Sequence, residues 1–167
     1  MYRMKLKSSY SLFIMLFVLA PLSLLGGCST VSPPPSQAMI SSPAVAHSEV
    51  VSIARELIGT PYHYGGRSPK KGFDCSGLVY YTHLQVGLRL PRTSYGQFKA
   101  TRPVSRRHLQ PGDLVFFRLS RHKISHVGIY IGHDQFVHAP SAGKDVMIDD
   151  LNDPYWQRRF VRGGRTL

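Results

Sequence analysis

Apolar residues are spaced differently in three stretches of the chain. From Leu12 to Ala20 nine apolar residues run without a break, followed by Pro21 and small residues up to Cys28. From Ser29 to His47 no periodicity is visible, and the nineteen residues hold five serines, four prolines and no formal charge. From about Ser48 the pattern becomes regular. Val50, Val51, Ala54, Leu57 and Ile58 recur at helical spacing ahead of Gly59 and Pro61, which predicts a helix that stops at Gly59. After the turn-rich "TPYHYGGRSPKKG" a second helix is predicted, because Leu78, Val79, Thr82 and Val86 fall at i, i+1, i+4 and i+8 on one apolar face.

The segment "LPRTSYGQF" reads as a loop, and beyond it the period changes to two. "DLVFFRL", "SHVGIYIG", "QFVHAP", "DVMIDD" and "RRFVRG" are short, closely spaced and separated by turns, as the strands of an antiparallel sheet are. In "SHVGIYIG" the residues Val127, Ile129 and Ile131 alternate to one face, and His126, Gly128 and Tyr130 to the other. In "QFVHAP", Phe136 and His138 share a face. Gly132 lies midway between His126 and His138, so a hairpin loop of odd length centred there sets the two histidines directly opposite, with adjoining side chains. No internal repeat is visible. The expected fold class is α+β, with N-terminal helices packed on a central antiparallel β-sheet.

A chain of 167 residues with 43% hydrophobic and 18% charged residues suits one globular domain with appendages, and is too apolar for a disordered chain. The formal charge of +12 needs dissection, because Arg3, Lys5 and Lys7 stand just before the apolar run. A basic start, a short apolar centre and a small-residue end describe an export signal, too short for a spanning helix. The other 18 basic residues against 9 acidic ones still leave a charge of about +9. Such a surface draws anionic polymers in general. Export argues against nucleic acid, and the clusters "SRRH", "QRRF" and "RGGR" are scattered and match no nucleic-acid motif.

The ending Leu25-Gly26-Gly27-Cys28 resembles the bacterial lipobox, with Gly26 in place of the usual Ala or Ser. That resemblance implies removal of residues 1–27 and acylation of Cys28, with 28–47 as a flexible Pro/Ser linker. Extended in polyproline geometry, the linker reaches on the order of 50 Å at about 3.1 Å per residue. Ser29 after the lipidated cysteine, under the sorting rule of Gram-negative lipoproteins, implies the outer membrane facing the periplasm. In a Gram-positive organism the same anchor faces outward from the only membrane. A signal peptide cut elsewhere, or a short uncleaved anchor, is the alternative reading of this segment.

The chain has two cysteines, and a thioether on Cys28 leaves Cys75 unpaired. In "KKGFDCSGLVYY" that cysteine stands where the second helix begins and projects onto its apolar face, at about 100° per residue. Free N–H groups in the first helical turn favour a thiolate there. A buried structural cysteine is the alternative. His126 and His138 supply a base on facing strands. Cys75, His126 and His138 are also zinc ligand types, although their spacing matches no zinc signature.

"GTPYHYGG", "GFDCSG", "LPRTS", "LQPGDLVFF", "SHVGIYIG" and "FVHAP" occur in the order of a known family. Over nearly all of Ser48 to Leu167 the chain resembles the NlpC-type cell-wall peptidases, papain-like cysteine enzymes of the bacterial envelope. The resemblance implies Cys75 as nucleophile, His126 as general base and acid, and His138 as the third polar residue that orients His126. Tyr62 matches a position that helps form the oxyanion site, with the Cys75 backbone N–H as second donor, and Tyr64 takes its place if the loop shifts. Asp74 and Ser76 are assigned support, Asp74 as a helix cap. The implied substrate is the stem peptide of peptidoglycan, cut between D-glutamate and diaminopimelate or at the cross-link to D-alanine. No cofactor or metal is implied, and a monomer suffices. A catalytically silent peptidoglycan-binding lipoprotein that keeps the fold is the alternative. Two departures, a longer loop between Gly66 and Cys75 and Pro140 in place of a small hydroxyl residue, bear on loop shape and substrate preference.

Overall fold

Helix α1 (Pro43–Glu56) lays Val50 and Ala54 into the core at the predicted helical spacing, with Leu57 just beyond its end. The computed structural model describes residues 43–119 and 123–166, all within one compact unit. The expected export signal, Cys28 and the expected linker up to residue 42 lie outside the described residues. The helix begins ahead of Ser48, in the last part of the segment read as linker. Pro43 suits its first position, where the missing N–H has no intrahelical acceptor to lose.

A small antiparallel hairpin, β1 (Arg67–Ser68) and β2 (Gly72–Phe73), leads into α2 (Cys75–Gln85). Helix α3 (Ser94–Ala100) occupies much of the segment expected to be a loop. Its seven residues show no apolar period, and the signal is instead Thr93, whose Oγ1 accepts the Gly96 N–H at 3.1 Å and caps the helix. Then come β3 (Arg102–Val104), β4 (Leu114–Phe117), β5 (His126–Gly132), β6 (Gln135–His138), β7 (Met147–Asp150), the short α4 (Pro154–Gln157) and β8 (Phe160–Arg165). The six-stranded sheet has the order β3-β8-β4-β5-β6-β7 and every pairing in it is antiparallel.

Both faces of this sheet are covered. Val127, Ile129 and Ile131 of β5 pack with Leu114 and Phe116 of β4 beneath α1 and α2. On the other face Val115, Phe117, Tyr130 and Phe136 pack with Leu151 and Trp156. The Phe117 ring lies 5.0 Å from that of Phe136 and 4.8 Å from that of Trp156. Aromatic pairs at such separations add about 0.5–1.5 kcal/mol each beyond area burial.

The β5–β6 hairpin corrects one expectation. It closes through His133 and Asp134, both with positive φ (52° and 56°), and the ladder slips by one residue between Tyr130 and Gly132. Ile129 therefore faces Val137, which sets His138 across from Gly128 and brings His126 to it diagonally, not directly opposite. The histidines still share one face, because the slip leaves their separation along that face even. Gly128 is required here: a Cβ on it would come within 2.5 Å of the fully buried Phe136 ring. Gly128→Ala should cost about 1–3 kcal/mol, as overpacking a dense core does. Urea unfolding measures it, and a cost below about 0.5 kcal/mol would show that the ring yields.

Candidate active site

Cys75 opens α2, and the residue before it holds the turn in place. Asp74 has extended backbone geometry, and its Oδ1 accepts the Gly77 N–H at 2.7 Å and the Ser76 hydroxyl at 3.2 Å. Its Oδ2 accepts the Gly65 N–H at 2.9 Å. Arg92 lays both guanidinium nitrogens on this carboxylate at 2.8 Å, and donates also to Ser76 Oγ and the Gly66 carbonyl, each at 2.9 Å. Burial alone would raise the Asp74 pKa, but the Arg92 guanidinium and the Gly77 and Gly65 N–H groups outweigh it and hold the carboxyl below its ordinary value. Asp74 is thus the helix cap expected of it.

The Cys75 thiol is partly exposed and packs against the helix–sheet core. The backbone N–H groups of Val127 and Ser76 point at the sulfur, so the thiol meets β5 at the residue after His126. Burial pushes the thiol up to about 11, the Asp74 charge adds to this, and the two N–H groups and Arg92 offset only part. The expected help from the helix start is therefore incomplete. Asp74, in satisfying the Gly77 N–H, also sets a negative charge beside the sulfur.

His126 and His138 are buried, at 2% and 0% exposure, and His126 Nε2 lies 2.8 Å from His138 Nδ1 with the rings at 88°. His138 Nε2 lies 2.9 Å from Asp149 Oδ2, which also accepts the Trp156 Nε1–H at 2.8 Å. The indole of Trp156 stacks on His126, with centroids 5.4 Å apart and planes 25° from parallel. Burial, then the neighbouring His138, hold His126 well below its ordinary pKa, against the pull of Asp149. Burial lowers His138 too, although Asp149 works to raise it. Both imidazoles are neutral at neutral pH. Burial works to raise Asp149, but the hydrogen bond and charge of His138, the Trp156 N–H and Lys144 bring it below its ordinary value.

An open cleft of about 640 Å³ runs past the thiol, lined by Tyr62, Tyr64, Arg67, Asp74, Cys75, Ser76 and Ser125 among others. Tyr62 has its hydroxyl pKa raised by burial, then by Cys75 and Asp74, which places its ring beside them. Tyr64 is 87% exposed on the rim. Of the residues singled out in the sequence, Tyr62, Asp74, Cys75 and Ser76 share this cleft, while His126 and His138 form their own hydrogen-bonded pair. Sequence reasoning missed Arg92, Asp149 and Trp156. Arg92 stood inside the quoted "LPRTS", and Asp149 shares a strand face with Met147, whose partner across the ladder is His138. Cys75, His126 and His138 do not converge as ligands: among the described residues no group of three or more His, Cys, Asp or Glu is arranged to hold a metal ion.

A helix with a thiol at its capped start, laid on an antiparallel sheet whose nearest strand begins with a buried histidine, defines a papain-like domain. The sequence profile of the NlpC/P60 family matches residues 59–165, and the chain belongs to that family. It is 44% identical over 116 residues, 67% of its length, to the murein DD-endopeptidase MepH of Escherichia coli, of which the match covers 43%. It is 49% identical over 110 residues, 65% of its length, to the murein DD-endopeptidase/LD-carboxypeptidase MepS of the same organism, of which the match covers 57%. The chain thus spans about half the length of these relatives. Among solved structures, an NlpC/P60 family protein from Bacillus cereus superposes with a TM-score of 0.68 at 32% identity, covering 71% of this chain and 39% of that one.

Replacing Arg92 by Met leaves the Asp74 carboxylate without its counter-charge and should cost about 1–3 kcal/mol at pH 7. Because the folded Asp74 pKa is depressed, its contribution is present above the unfolded value near 3.8 and is lost as pH falls through the folded value. The gap between parent and variant in urea unfolding should therefore narrow below about pH 4. A gap constant to lower pH would assign the loss to packing.

Proposed function

We propose that this chain is a murein endopeptidase that hydrolyses an amide bond in the peptidoglycan stem peptide or cross-link through an acyl-enzyme on Cys75. The observation that carries the reading is the thiol of Cys75, held at a capped helix start against the strand that begins with His126, whose imidazole is backed by His138 at 2.8 Å. Family membership and the names of the relatives support it. MepH and MepS are both named DD-endopeptidases, which favours the cross-link over the bond to diaminopimelate.

Burial leaves thiol and imidazole neutral before substrate arrives, so the proton moves as the sulfur attacks. His126 takes the thiol proton while the sulfur bonds to the amide carbonyl carbon. The resulting oxyanion faces the Tyr62 hydroxyl and the Cys75 backbone N–H. His126 then gives its proton to the departing amine as the C–N bond breaks, and a thioester remains. Water, deprotonated by the same imidazole, releases the acid and regenerates the thiol. His138 orients His126 throughout. Asp74 and Ser76 support the turn that carries the thiol. Arg67 on the cleft rim meets substrate carboxylates, since the charge of Arg92 is committed to Asp74. The reading requires no cofactor and no second copy of the chain.

The lipobox-like Cys28 and the Pro/Ser linker support a lipid anchor in the cell envelope, at the outer membrane facing the periplasm if Ser29 is read by the Gram-negative rule. Export and the absence of a nucleic-acid motif leave the basic surface for wall carboxylates. Cys28→Ser should move the protein from the detergent phase to the aqueous phase in a phase-separation assay.

Incubation of the full-length chain with purified muropeptides, followed by mass spectrometry, tests the activity. Cleavage should fall by at least about 10³-fold in Cys75→Ala and in His126→Ala. Undiminished cleavage in Cys75→Ala would sink the mechanism. Binding to sacculi with no peptide cut by the parent protein would leave the silent adaptor.

A further inference from the structure

The buried histidines do not end at His138. Asp149 on β7 receives two hydrogen bonds at one oxygen, from His138 Nε2 at 2.9 Å and from Trp156 Nε1 at 2.8 Å. On its outer side the same carboxylate borders a cavity of about 450 Å³, lined also by Lys144, Asp153 and Tyr155. Asp149 is 29% exposed by side chain while His138 is 0%. A charged group with one side toward water therefore touches the inner end of a fully desolvated pair.

We propose that Asp149 is a positioning residue that fixes the tautomers of both histidines, so that His126 presents the bare Nδ1 to the Cys75 thiol. This rests on the reading of Cys75 and His126 as the reacting pair. A carboxylate only accepts hydrogen bonds, so the proton between Asp149 and His138 sits on His138 Nε2. A neutral imidazole carries one N–H, which makes His138 Nδ1 an acceptor. The 2.8 Å contact then requires the proton on His126 Nε2, and the lone pair of His126 lies on Nδ1. Without a fixed charge at the far end, the chain of protons could run in either direction, and half of those arrangements offer the thiol an N–H in place of a base.

The same carboxylate acts when His126 takes the thiol proton. The new positive charge sits in a dry site faced by few charged groups: Asp149 from β7, which favours it, and Lys144 from the loop before β7, which opposes it at His138. Trp156 from α4 supplies only an N–H to Asp149 and a ring against His126. Asp149 is thus the group whose charge complements the imidazolium.

The test uses the full-length protein and no murein. Alkylation of Cys75 by iodoacetamide, located by peptide mass spectrometry, is followed from about pH 5 to pH 10, on the rising limb below the thiol's value of about 11. In Asp149→Asn, which keeps the shape and loses the charge, the rate curve should shift toward alkaline pH by about one unit or more, a roughly tenfold lower rate at a given pH. A curve within about 0.2 units of the parent, whatever the melting temperature of the variant, would make Asp149 merely structural and overturn the proposal. Should Asp149→Asn fail to fold, ¹⁵N NMR of the parent protein decides. Protons on Nε2 of both His126 and His138 are expected, and a proton on His138 Nδ1 in the neutral pair would refute it. Absence of muropeptide cleavage by the parent protein, with the shift intact, would indict the substrate assignment alone.

Discussion

The backbones of Gly66 and Gly77 pass so closely that a Cβ at Gly77 would sit 1.9 Å from the Gly66 carbonyl oxygen. No side chain fits, and the approach is what allows a single carboxylate to bridge two segments. From this position Asp74 reaches the N–H groups of Gly65 and Gly77 together, and Arg92 reaches both that carboxylate and the Gly66 carbonyl. The clamp fixes where α2 starts. Where α2 starts decides which N–H groups meet the Cys75 sulfur, and Val127 on the neighbouring strand is one of them. Gly66, Asp74, Ser76, Gly77 and Arg92 are therefore parts of one mechanical joint, each set by the space or bond it occupies.

Around Cys75 and the two buried histidines, charge is kept at two ends. Asp74 and Arg92 pair at one end, and Asp149 with Lys144 nearby stands at the other. Between them lie a thiol raised by burial and two imidazoles lowered by it. A desolvated neutral centre costs little to fold, since no isolated ion is buried. It also makes any charge that develops on the buried imidazoles strongly dependent on the fixed groups flanking them, because screening is weak among buried groups.

Much of this was legible in the residue pattern. The period of α1 and α2, the alternation in β5 and the shared face of His126 and His138 followed from which side chains must avoid water, and those preferences are large. The helix α3 was not legible, because its seven residues bury one polar side chain, Gln97, and show no apolar stripe. The exact register of the histidines was missed since His133 and Asp134 hold positive φ without being glycine. Asp149 was out of reach for another reason. The connection between His138 and Met147 is too long to set a register by turn chemistry, so only the folded ladder shows which β7 side chain stands beside His138. The Cys28 segment, expected to be an export signal ending in a lipidated cysteine, lies outside the described residues.

Trp156 is the only tryptophan of the chain, and it lies flat against His126 while its N–H holds Asp149. An indole in van der Waals contact with an imidazole loses emission when that ring gains a proton, because the cation accepts the excited electron. The protein thus carries a native optical probe on the charge state of His126. Stopped-flow emission can follow that charge in unlabelled protein, with no second indole to dilute the signal.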